Sequence, residues 1–217
     1  AYNFTATSDT RYSYSDENRS QIRIDNLGNV LIASSSASSN FPTTAGVLSP
    51  LFNGGLDGVV VKLDPNLSTL IFSTFLGGTV NEACTSLQID ATNNVYVCGI
   101  TSSANFPTTA GVLSTTIHGS SDGFVSILDP TGSSLIASTF LGTTNKDGAM
   151  YVDLDITGNV FVYGLSTGGT YPVTAGSYSN TGSAQFLHSL NPALNTTLFS
   201  TVFGSGANPN ISPTAFE

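Results

Sequence analysis

The sequence predicts an all-β protein of the β-propeller class, about three four-stranded blades of a larger ring. Three observations lead there: one unit recurs three times at a 65-residue spacing, each unit reads as two β-hairpins, and no stretch shows helical periodicity. NFPTTAGVLS at 40–49 returns at 105–114 and, degraded, as TYPVTAGSYS at 170–179. DGVVVKLDP from Asp57 matches DGFVSILDP from Asp122, and the third copy reads SAQFLHSLNP, three residues short. STFLGG from Ser73 is answered by STFLGT from Ser138 and STVFGS from Ser200, while Asp25, Asp90 and Asp155 fall in register.

The first hairpin of the second unit is expected from about Thr85 to Asp90 and from Val95 to Thr101, with Leu87, Ile89, Val95 and Val97 facing inward. Its turn needs an aspartate to bond the backbone and a residue tolerant of positive φ, supplied by Gly28, Asn93 and Gly158 in the three copies. The second hairpin is expected from about Gly123 to Leu128 and from Leu135 to Leu141, where Pro130 fixes φ and Gly132 closes the turn. Between the hairpins, NFPTTAGVLS is too rich in Pro and Gly for a helix or central strand. It reads as an ordered crossing whose ring (Phe41, Phe106 or Tyr171) plugs into a core.

A blade usually takes about 40–45 residues, so a 65-residue repeat implies a long connection. The alternative fold is an all-β solenoid or a stack of the same hairpins; short-rung β-helices have a far shorter repeat. The units run over 21–80, 81–145 and 146–207. Residues 1–20 read as an atypical edge or the end of a preceding blade. Residues 208–217 read as the first strand of a following one, because ISPTAFE aligns with CTSLQID and puts Glu217 where Asp90 stands. Propellers close with roughly 4–8 blades, so further chain is expected to complete the ring, with association of several copies as the other route. Starting at Ala1 fits a processed, exported piece and equally a trimmed one.

Composition narrows the function classes. The chain has 217 residues and a net charge of -9, with only 9% charged residues, while 30 Ser, 28 Thr and 22 Gly cover its surface with hydroxyls and amides. At 40% hydrophobic residues it should fold. Five scattered basic residues, Arg11, Arg19, Arg23, Lys62 and Lys146, cannot neutralise a phosphate backbone, which excludes nucleic acid. No apolar run approaches the ~20 residues of a membrane-spanning helix, so no membrane insertion is expected. Cys84 and Cys98 have no CxxC spacing and no nearby histidine for zinc; if their strands pair, both could share one face, as a disulfide or as two buried thiols.

Together the four motifs, in one order three times over about 21–207, resemble the SBBP repeat, a β-propeller repeat of secreted bacterial proteins. Its pattern couples a D-x-x-G-N turn, an F-P-T-T-x-G stretch, a D-x-F-V-x-K-L-D-P strand and an S-T-F-L-G-G strand. The terminal ISPTAF resembles the start of a following, divergent unit in large surface proteins of the Bacteroidetes type. Such proteins commonly carry a gliding-motility-type sorting domain and leave through a type IX secretion system. The resemblance therefore implies a secreted, cell-surface address and secretion machinery or other surface proteins as partners. It implies no shared catalytic residue, and SAQFLHSLNP departs from the family's third motif.

A catalytic residue is needed once, whereas a turn residue is needed once per blade. The repeated Asp25, Asp90, Asp155, Asp57, Asp122, Asp64 and Asp129 are thus assigned to turns and backbone hydrogen bonds. Among unrepeated residues, His118 and His188 lack an HExxH partner or a nucleophile elbow. Asp153, Asp155 and Thr157 resemble the opening of a calcium loop, but the twelfth position holds Gly164 instead of Glu, which favours a bare turn. Asp16, Glu17, Glu82 and Asp147 are expected on a solvated blade edge. No catalytic, cofactor-binding or metal residue is assigned, and no cofactor.

Three functions compete. The first is a non-enzymatic extracellular scaffold or adhesion module of a large secreted surface protein, with a glycan as a candidate ligand through aromatic faces, although Trp is absent. The second is a structural repeat of a surface filament joined through exposed edge strands. The third is a glycan-cleaving enzyme with acids near Asp147 and Asp153, whose mark would be two carboxylates about 5–9 Å apart.

Overall fold

The structure, a computed structural model, describes residues 20–168 and 170–204. Within them every regular element is a strand. The first sheet contains β1 (Gln21–Ile24), β2 (Val30–Ser36), β3 (Asp57–Leu63) and β4 (Leu70–Leu76). The second contains β5 (Glu82–Ile89), β6 (Val95–Thr101), β7 (Asp122–Leu128) and β8 (Leu135–Leu141). The third contains β9 (Asp147–Leu154), β10 (Val160–Ser166), β11 (Gln185–Leu190) and β12 (Thr197–Phe203). Each is an antiparallel meander in chain order. The expectations placed on residues 1–19 and 208–217 lie outside the described residues.

The first-hairpin turn folds as its residues dictate. In the second sheet, the Thr92 and Asn94 backbone N–H groups donate to Asp90 Oδ1 at 2.8 and 2.9 Å, and the Asn94 amide donates to Oδ2 at 2.8 Å. Asp25 with Asn29 and Asp155 with Asn159 repeat the arrangement. Gly28, Asn93 and Gly158 take φ of 82°, 65° and 82°, the left-handed region the turn demands. Burial alone would raise Asp90; bonds from Thr92 and Asn94 outweigh it and hold the carboxyl below its ordinary value. Asp90→Ala removes both acceptor oxygens, and thermal unfolding should show a loss of about 1–2 kcal/mol.

The sheets pack in series: β5 lies on β1, β2 and β3, and β9 lies on β5 to β8. Leu31, Ala33, Val60 and Phe72 of the first sheet share one core with Leu87, Val97, Phe124 and Phe140 of the second. The other face of the second sheet, with Tyr96, Cys98 and Val125, shares a core with Val152, Val160, Val162 and Phe186 of the third. Both faces of the middle sheet are therefore buried, which is why β7 is apolar or small at every position after Asp122. Positions 31, 33 and 60 of the first interface correspond to 96, 98 and 125 of the second, so one packing scheme is used twice.

The NFPTTAGVLS segments have a second task besides inserting a ring. Thr44 N–H donates to the Ser73 carbonyl at 3.1 Å, and Phe75 N–H donates to the Ser49 carbonyl at 2.9 Å, so the segment runs along the outer edge of β4. Thr109 and Ser114 do the same for β8, and Thr174 bonds the Ser200 carbonyl on β12. Each last strand is thus capped by its own connection, which protects it from pairing with another chain.

Candidate functional site

Two of the repeated carboxylates, Asp57 and Asp122, lie where sheet meets sheet. Asp57 opens β3 and accepts the Asn53 N–H at 2.8 Å; Asp122 opens β7 and accepts the His118 and Gly119 N–H groups at 2.8 and 2.9 Å. These are the backbone-bonding roles expected of them. Glu82 and Asp147, however, are not on a solvated edge: they are 1% and 3% exposed. The reason is that β5 and β9 each pack on the preceding sheet, which covers their first residues. Glu82 accepts the Gly78 N–H at 2.7 Å and the Thr101 hydroxyl at 2.7 Å, and Asp147 accepts the Thr143 N–H.

Asp57 Oδ1 and Glu82 Oε2 lie 3.1 and 2.7 Å from the place a Cβ on Gly77 would occupy, so the two carboxylates share one small pocket. Burial raises Asp57, Glu82 and Asp122 above the ordinary carboxylate range, and the neighbouring Asp57 charge adds to the effect on Glu82. Groups raised in this way favour the fold most at pH values below their unfolded pKa and lose that contribution as pH rises through the folded one. No group of three or more His, Cys, Asp and Glu able to hold a metal occurs among the described residues.

Asp147 and Asp153, near which the acids of a glycan-cleaving site are expected, are six residues apart on the one strand β9. At ~3.3 Å per residue they stand roughly 20 Å apart, well beyond the about 5–9 Å that such chemistry needs. Asp153 Oδ1 instead accepts the Gln88 side-chain amide of the second sheet at 2.9 Å and the Leu154 N–H at 2.8 Å. Asp155 spends both carboxylate oxygens on its own turn, through Thr157 and Asn159, and these bonds bring it down to about 2. Each of its carboxylate oxygens thus accepts from a donor within the turn itself.

His118 is half-exposed, 3.7 Å from Asp122. His188 is buried, with Nδ1 2.9 Å from the Tyr171 hydroxyl and Nε2 2.8 Å from the Thr197 hydroxyl. The second sheet has Phe106 and Ser126 at these two places. Where the third unit adds a buried hydroxyl at 171, it supplies the partner at 188. Burial lowers His188 from 6.5 to about 4. Below pH 6.5 the unfolded chain is protonated at this imidazole and the folded one is not, so stability falls with pH and the loss is complete near pH 4. About 3 kcal/mol should be lost over that window. The paired substitution Tyr171→Phe with His188→Ser, which recreates the second sheet's pair, should flatten the profile in urea titrations.

Cys84 and Cys98 are both thiols. The strands do pair, but a β-bulge leaves Thr85 unopposed, so Cys84 faces Gly99 and Ser86 faces Cys98. One extra residue reverses which face a side chain takes, and the two sulfurs end up in different cores. Burial pushes the Cys84 thiol far up and leaves it inert. Signals for these outcomes were present only in the combination of bulge and two-sided burial, which single-strand alternation does not reveal.

Both end sheets carry apolar side chains that are less covered than their counterparts in the middle sheet. Ile22 and Ile24, 57% and 69% exposed, stand where Leu87 and Ile89 lie in the second sheet. At the other end, Phe161 and Phe199 stand where Tyr96 and Ala137 are buried, in edge contact at 5.6 Å. No protein-family model matches the chain, and no curated protein matches it.

Proposed function

We propose that the three sheets are blades of a β-propeller, completed by further blades of the same kind, and that this module is a non-enzymatic scaffold or binding element of a large secreted surface protein. Its carrying observation is the twofold use of one inter-sheet packing scheme, with every repeated carboxylate engaged in a turn or at a sheet boundary. Rigid blades would hold variable loops at one face of the ring, and a surface of hydroxyls and amides with few charges resists non-specific contacts. The motif resemblance to the SBBP repeat adds export, with type IX secretion machinery as the partner and a glycan as the ligand class to test. A filament joined through outer edge strands is less well supported, because β4, β8 and β12 are each lined by their own connecting segment.

The test is fractionation of the source cells with peptide mass spectrometry of the natural polypeptide. Recovery from the medium or cell surface, at a mass far above 22.4 kDa, is the expected result. Recovery from the cytosol would refute the export reading.

A further inference from the structure

The two sheet interfaces share a size rule that extends to the Phe161 and Phe199 face of the third sheet, which is uncovered among the described residues. At the first interface Phe72 on β4 lies over Gly132, in the turn between β7 and β8; a Cβ there would fall 2.5 Å from the ring. At the second interface the same two places hold Ala137 and Leu194, both buried in one core. Large meets small each time, with the order exchanged. The backbone contact beside them is constant: Leu48 N–H donates to the Gly132 carbonyl at 2.8 Å, and Leu113 N–H to the Leu194 carbonyl at 2.8 Å. The turn geometry is constant too, with φ of 68° at Gly132 and 55° at Leu194.

On the third sheet the β4-type position is Phe199, and the residue at the place of Leu48 and Leu113 is Tyr178, 71% exposed. On the first sheet the turn position is Leu67, φ 57° and 61% exposed. We propose that the uncovered face of the third sheet takes a further blade of this repeat whose last hairpin turn carries glycine, and that it discriminates against the first sheet of a second copy of this chain. The inference rests on the reading of the sheets as blades. A second copy would set Phe199 against Leu67, large on large, which a packed interface does not accommodate without strain. A glycine turn would restore the pairing seen between Phe72 and Gly132 and present its carbonyl to the Tyr178 N–H.

Two substitutions convert the second copy into an acceptable occupant. Leu67→Gly reproduces the Phe72 and Gly132 pair and suits a positive φ; Phe199→Ala reproduces the Ala137 and Leu194 pair. Sedimentation velocity over a concentration series should show the unaltered chain associating weakly, each single variant associating at least about tenfold more tightly, and the double variant falling back because it leaves a void. Equal association of the unaltered chain and both single variants, or a double variant tighter than either, would overturn the proposal. Solution scattering of the associated Leu67→Gly species separates this from the blade reading. A closed two-copy ring supports both, while an elongated species keeps the size rule and contradicts the ring.

Discussion

Gly99→Ser is expected to destabilise the protein by about 3 kcal/mol or more, a fall of roughly 6–12 °C in Tm for a chain of this size. A Cβ at this position would lie 1.9 Å from the Ala83 carbonyl and 2.8 Å from the Phe124 ring. Gly99 faces Phe124 directly across β6 and β7, as Gly164 faces Phe186 in the third sheet. In the first sheet the same pair is Ser34 and Val59. The side chain missing at one place is thus returned at the other, and the pair fills a constant space. Adding Phe124→Val to Gly99→Ser should therefore cost less than the sum of the two single changes, with a coupling of about 1 kcal/mol or more. Recovery is partial, because the Ala83 carbonyl still crowds the new Cβ. Strictly additive losses in a double-mutant cycle would refute the compensation.

Phe106→Ala is expected to cost about 3–5 kcal/mol and to promote aggregation on heating. Phe106 is 3% exposed and its ring lies 4.4 Å from Phe124 and 5.9 Å from Phe140. It anchors the segment whose Thr109 and Ser114 line the outer edge of β8, so its loss both leaves a cavity and releases that edge. The matching ring in the first sheet, Phe41, is only half-buried and 6.0 Å from Phe75. Phe41→Ala should accordingly cost clearly less, about 1–2 kcal/mol. Calorimetry with light scattering on both variants checks the order; equal losses would show that the segments are not held by their rings.

Much of this was legible in the sequence because a repeat tests itself. The turn at Asp90 and Asn93 could be read three times, and its counterparts Gly28 and Gly158 carried the same message about positive φ. The strand bounds Val95–Thr101 and Leu135–Leu141 followed from alternation and turn chemistry. What stayed hidden depends on the third dimension. Thr85 gives no local sign of a bulge, yet that one residue sends Cys84 and Cys98 to opposite faces. Glu82 and Asp147 look like surface acids until a preceding sheet covers them. The exchange of Phe72 and Gly132 for Ala137 and Leu194 is visible in the aligned units, but it has meaning only once the turn of one sheet is seen against the last strand of another.

The most direct measurement of the central claim is electron microscopy of the intact natural polypeptide that contains these residues. A closed ring of about 4–8 four-stranded blades, with these three in adjacent positions, is the expected image. An open stack or an extended solenoid of the same sheets would contradict it.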